Sequence, residues 1–182
     1  MYNKTKNIDD KPNKFYIISV TTLTFIIPII TFLVEHFSTN KALTFELFSK
    51  WFIFSAVGLR LFLAGIKQVK NPAFTAKQIF HIDSPDNFPI LRELGFANIC
   101  FGLVAIISLF KPDWRFVSAF ASGLYYGIAG IQHGLKKTSG INEKFALWTD
   151  LIIFILLLAY FIKTIYETTF SFPHSIFLVF RF

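Results

Sequence analysis

The chain has 182 residues, 54% of them hydrophobic, and a mean hydropathy of +0.55, which leaves room for one domain and exceeds what an ordinary soluble domain carries. Its formal charge of +7 comes from lysines and arginines scattered in short groups between apolar runs, a pattern that argues against nucleic acid as a partner and for membrane topology. Cys100 is the single cysteine, so an intrachain disulfide is excluded, and its place in an apolar run predicts a buried, inert thiol.

Crossing about 30 Å of hydrocarbon takes about 20 helical residues, because each backbone polar group must be satisfied within the helix. Four segments meet this requirement readily and a fifth, the second in the chain, does so with an arginine inside it, so the expected fold is all-α: an integral membrane bundle of five transmembrane helices over residues 15–167. A basic tail at 1–14 precedes it and an interfacial tail at 168–182 follows.

The first span, 15–37, is uncharged until Glu35 and carries Pro28 midway, which frees the carbonyl of Thr24 and predicts a kink. Its leader holds Lys4, Lys6, Lys11 and Lys14, but the apolar stretch is too long for a signal peptide and lacks a small-residue cleavage site, so it reads as a retained anchor. The second span, 47–68, contains Arg60. A connection at 69–88 follows, in which Thr75 and Gln78 form a capping-box pattern for a short interfacial helix, and a surface linker is favoured over a re-entrant lid. The third span covers 89–110, and Lys111-Pro112-Asp113 turns tightly into the fourth at 115–135. The fifth covers 144–165, and Pro173 breaks the helix beyond it.

Lysine and arginine in the flanks set orientation. Ten lie on the side of the N-terminal tail, in the tail, at Lys67, Lys70 and Lys77, and at Lys136, Lys137 and Lys144; six lie on the other side. The bias predicts a cytoplasmic N-terminus in a bacterial inner membrane.

Ionisable residues inside a membrane are the sharpest functional signal in such a chain, each costing about 2.5–3.5 kcal/mol at mid-span. Arg60, Glu93, Asn98, His133 and Asp150 all fall in the half nearer the cytoplasm, and the other half reads as almost purely apolar packing. Helical Cβ atoms lean toward the helix N-terminus. Arg60 therefore leans toward the membrane centre and cannot snorkel, whereas Glu93 and Asp150 lean toward the cytoplasm. An acidic partner is the least costly solution for Arg60, and these two are the candidates.

The fourth span carries Gly123, Gly127, Gly130 and Gly134 at helical spacing, a small-residue face that admits a neighbouring backbone or joins two protomers, with the bundle interior favoured. Tyr126 and His133 flank this face and should point inward. His133 could carry a proton. A metal site is not expected, since the other histidines are distant and no cysteine cluster exists; no nucleotide-binding or hydrolase motif is present either. No cofactor is predicted, although a quinone between the third and fourth spans near Tyr126 and His133 is compatible with the pattern.

The strings WFIFSAVGLRLFLAGIKQVKNPAFTA from Trp51, LRELGFANICFGL, GLYYGIAGIQHGLKK and NEKFALWTDLIIFILLLAY together resemble an uncharacterised family of small bacterial membrane proteins, a domain of unknown function. More remotely, the second to fifth spans look like the four-helix DoxX-type membrane proteins, with Arg60, Lys67 and Glu93 at the matching positions. That resemblance implies a subunit of a quinone-linked or thiol-linked oxidoreductase assembly, from which the extra leading span departs.

The leading expectation is a non-enzymatic membrane subunit or a protein that binds a small molecule or lipid in a cavity framed by Arg60, Glu93, His133 and Asp150. A proton-coupled transporter, with Glu93 or Asp150 as carrier and His133 as gate, is the first alternative, and an integral-membrane redox enzyme the second. Expected partners are the lipid bilayer, and either a second copy or a membrane oxidoreductase.

Overall fold

The structure, a computed structural model, describes residues 12–80, 84–135 and 140–170, and among them it is helical with no strand. Of the anticipated tail at 168–182, residues 168–170 continue the last helix and the remainder, with its break at Pro173, lies outside the described residues, as do most of the N-terminal tail and Lys136 and Lys137. Helix α1 runs over Lys14–Thr39, α2 over Phe45–Lys70, a short α3 over Pro72–Phe80, α4 over Phe88–Ile107, α5 over Trp114–Leu135 and α6 over Ile141–Phe170. Four segments are long and apolar enough to cross a membrane: α1, α2, α4 with its leading turn, and α6. Helix α5, expected as the fourth span, has 22 residues, about 33 Å of helix, but its glycines, tyrosines and polar end lower its hydropathy.

Local chemistry sets the boundaries. The Asn13 side chain caps α1 by accepting from the Tyr16 amide at 2.9 Å, and Thr44 caps α2 through the Leu47 amide, each satisfying a donor with no helical partner. Asn40, at φ 50°, ends α1 in the left-handed conformation that asparagine tolerates well. The Lys111–Pro112 turn forms as expected, with the Trp114 amide donating to the Lys111 carbonyl at 3.0 Å.

Helix α1 does not break at Pro28. Residues Thr22–Ile26 slip into π register, and the Ile27 amide reaches the Thr22 carbonyl. That register moves the missing donor of Pro28 from the expected Thr24 carbonyl to that of Leu23, five residues back. Ser55 of α2 supplies the replacement, its hydroxyl donating to the Leu23 carbonyl at 2.6 Å. Ser55 itself lies in a second π segment, Ile53–Leu59, that ends at Arg60.

Two glycine seams hold the bundle. The α5 stripe packs within it against α6: a Cβ added at Gly127 or Gly130 would meet Phe154 or Leu151 at 2.9 and 2.8 Å, whereas Gly123 and Gly134 leave 3.5 and 3.8 Å to Leu157 and Leu147. The second seam joins α2 and α4. A Cβ on Gly65 would stand 2.5 Å from the Gly95 carbonyl oxygen, and one on Gly102 would stand 2.5 Å from the Phe62 nitrogen and 2.9 Å from the Gly58 oxygen. Glycine pairs seven residues apart on each helix thus bring two antiparallel backbones into contact. Between the seams, Ile53, Ala56, Val57 and Ile153 are fully buried.

Three expectations are corrected. The 69–88 connection is no plain linker: Pro72, Thr75 and Ala76 of α3 are buried against the bundle, Thr75 is not a cap, and Gln78 accepts from Asn142 of α6 at 3.1 Å. Asn142 also accepts from the Asn13 amide at 2.9 Å, so one amide side chain ties α1, α3 and α6 together. Cys100 is exposed rather than buried, on the flank of α4 away from its glycines. Finally, the far end of the bundle is not purely apolar: Glu35 binds Lys41, Lys50 and the Trp51 indole N–H, each at 2.6 Å, and Glu46 meets Arg115 at 3.2 Å.

Gly102→Ala should cost about 1–3 kcal/mol, since its methyl group meets backbone that cannot yield, while Gly134→Ala should be close to neutral. Unfolding in mixed micelles measures both, and equal losses would contradict the seam.

Candidate functional site

The site is built at the end of the bundle where α1, α4 and α6 begin and α2 and α5 end, with α3 lying across it. A cavity of about 730 Å³ opens there, bordered by all six helices. Its polar floor is Arg60. The π segment before it delivers this side chain inward from α2, where it is buried with only 8% exposure. Its Nη2 donates to Asp150 Oδ1 at 2.6 Å and to the Thr149 hydroxyl at 3.1 Å, both on α6. The guanidinium lies 5.3 Å from the centre of the Tyr126 ring, a cation–π distance, and the Tyr126 hydroxyl donates to the Ala56 carbonyl of the same π segment at 3.2 Å. Tyr16 faces the guanidinium from α1. Arg60 Nη1 has no hydrogen bond of acceptable geometry among the described residues.

Farther along the wall, Asn98 of α4 donates to Gln68 of α2 at 2.7 Å, and its own carbonyl oxygen is buried without a partner among the described residues. His133 Nδ1 lies 3.1 Å from Glu143 Oε1, and its ring stacks on Phe80 of α3 at 6.3 Å between centres. The histidine thus joins the last turn of α5 to the first of α6 and to α3. Lys67 stands at the rim with its ammonium 3.3 Å from the centre of the Phe74 ring and 5.3 Å from that of Phe15.

Of the residues singled out in the sequence, Arg60, Asn98, Tyr126, His133 and Asp150 line this cavity together. Glu93 does not. It is exposed and lies outside the lining, because the buried face of α4 runs through Leu91, Gly95, Asn98 and Gly102, and two residues from Gly95 is about 200° of rotation. The acidic partner of Arg60 is Asp150. The four α5 glycines lie behind the site, toward α6.

Thr149, Tyr16, Gln68, Lys67 and Glu143 were not singled out as site residues. Glu143 carried a usable signal: Glu143, Ala146, Asp150, Ile153, Leu157 and Tyr160 follow strict three- and four-residue spacing and are all buried, so Glu143 shares the inward stripe of Asp150. Among the described residues no three His, Cys, Asp or Glu side chains stand close enough to share a metal ion.

An isolated buried charge is far costlier than a buried pair. Arg60→Met and Asp150→Leu should each destabilise the protein by about 3–5 kcal/mol, and the double substitution should restore most of that loss. A double-mutant cycle on unfolding free energies tests this; simple addition of the two losses would contradict the pairing.

Residues 16–168 match the model of a family described as "Family of unknown function (DUF6790)". Neither a curated protein nor a solved structure matches the chain. A match running from the third residue of α1 nearly to the end of α6 covers every element that borders the cavity, and the chain therefore belongs to the family of unknown function DUF6790.

Proposed function

We propose that this chain is a five-span protein of a bacterial cytoplasmic membrane that holds a small amphipathic molecule in the cavity above Arg60, as a binding subunit rather than an enzyme. The cavity itself carries the reading. It has the size of small-molecule sites, about 300–1,000 Å³, and their composition, with apolar walls and a few fixed polar groups. Its lining includes Phe15, Leu63, Ile90 and Ile128, all at least half exposed, so it reaches the surface that would face lipid.

Helix α5 supports the fifth span. Val117, Phe120, Leu124, Ile128, Ile131 and Leu135 form an exposed apolar stripe along its whole length, of a kind a soluble surface rarely carries. Five spans put the two tails on opposite sides. With the lysine bias, the cavity faces the cytoplasm, and cysteines placed in the two tails and labelled from the same side would overturn that arrangement.

Proton-coupled transport draws less support. Asp150 is held by Arg60, whose Nη2 also donates to Thr149, and Glu93 is outside the cavity, so neither carboxylate is placed to load and release protons. The likeness of the second to fifth spans to DoxX-type proteins would make α1 an added wall, since it contributes Tyr16, Ser19 and Leu23 to the lining.

Ala129→Trp places an indole in the cavity away from the Arg60 pair. Native mass spectrometry of the wild type released from its membrane should show a bound small molecule that this variant loses. An adduct retained at full occupancy, or a wild type with no adduct, would overturn the reading.

A further inference from the structure

We infer that the ligand is a single-chain amphipath with an anionic oxygen headgroup, a carboxylate or a phosphate ester, seated at Lys67 with its chain lying between α1, α2 and α5. The inference rests on the cavity reading above and adds the chemical class of what fills it.

Charge in the lining carries the first step. Arg60 and Asp150 offset one another, and His133 is engaged by Glu143. Lys67 also borders the cavity, and among the described residues it meets no carboxylate, only the faces of Phe74 and Phe15. With Arg60 paired to Asp150 and His133 to Glu143, Lys67 is the lining cation left without a carboxylate among the described residues. An ammonium flanked by two rings is partly stripped of water, so an anion arriving there regains attraction at low dielectric. Gln68, the next residue along α2 and also in the lining, can donate from its side-chain amide to headgroup oxygens.

Placement carries the second step. Lys67 sits in the last turn of α2, at headgroup depth in the five-span arrangement, where lysine ammonium groups meet the interface. Arg60 lies seven residues deeper, about 10 Å along the helix. The wall between these levels is apolar, with Val20, Leu61, Leu63 and Ala64 beside the path. Because Phe15 and Leu63 are lined on the cavity and also exposed, a chain could slide in from the bilayer with its headgroup staying at the interface. A soluble anion would not need that lateral apolar approach, and a neutral amphipath would leave the Lys67 ammonium unanswered.

The test uses the full chain in nanodiscs of phosphatidylcholine, with radiolabelled palmitate as probe. The expected result is saturable binding that falls about tenfold or more in Lys67→Gln, as for loss of a charged hydrogen bond, and is retained in Lys67→Arg. Lysophosphatidic acid should compete, and its strength relative to palmitate tells a phosphate from a carboxylate preference. Methyl palmitate and inorganic phosphate should not compete. Equal competition by methyl palmitate, or unchanged binding in Lys67→Gln, would overturn the anionic headgroup while leaving the cavity reading intact. Competition by inorganic phosphate alone as strong as by lysophosphatidic acid would overturn the chain, and absence of saturable palmitate binding would overturn the inference altogether. The cavity reading fails separately, through an adduct that Ala129→Trp does not displace.

Discussion

A guanidinium inside an apolar bundle must find both an opposite charge and enough acceptors, and in this chain that demand is met by Asp150 and Thr149 on one helix and by the Tyr126 face on another. The arrangement fixes α2 against α5 and α6 at one depth. It also has a geometric consequence: helices drawn together around the arginine cannot close above it, because Tyr126, His133 and Asn98 are engaged sideways rather than toward one another. The space left over is the cavity. What separates a structural ion pair from a binding site is that open volume and the additional cation at its rim.

The backbone of the first two spans is adapted to the same end. Pro28 cannot donate to the Leu23 carbonyl, and Ser55 makes up the deficit from within the π segment of α2. π segments recur at functional positions because they rotate the residues that follow relative to a regular helix. Here the residue that follows is Arg60. Two glycine seams then allow close helix contact on either side, so the polar groups in the middle are held by packing that leaves little slack.

Much of this was legible in the sequence. Apolar runs of the right length located the helices, and the lean of helical side chains showed that Arg60 could not escape to the interface and needed an acid. Glu93 was misread as a cluster member because depth along a helix was weighed without rotation around it; the period of Leu91, Gly95, Asn98 and Gly102 would have turned it away. The α2–α4 seam escaped notice because its glycines recur every seven residues rather than every four. Helix α3 could not be recognised as part of the bundle, since its anchoring depends on Gln78 meeting Asn142, 64 residues away. The cluster around Glu35 was hidden for the same reason: Lys50 and Trp51 reach it from a different helix.

The central claim is that the space between Arg60 and Lys67 is a binding site and not a packing remnant. A density map of the protein reconstituted in its own lipid, at a resolution that shows side chains, tests this most directly. The account predicts elongated nonprotein density with its head beside the Lys67 ammonium and its body running toward Arg60. A cavity collapsed by movement of α1 or α3 onto the Arg60 pair, or filled only by water, would contradict it.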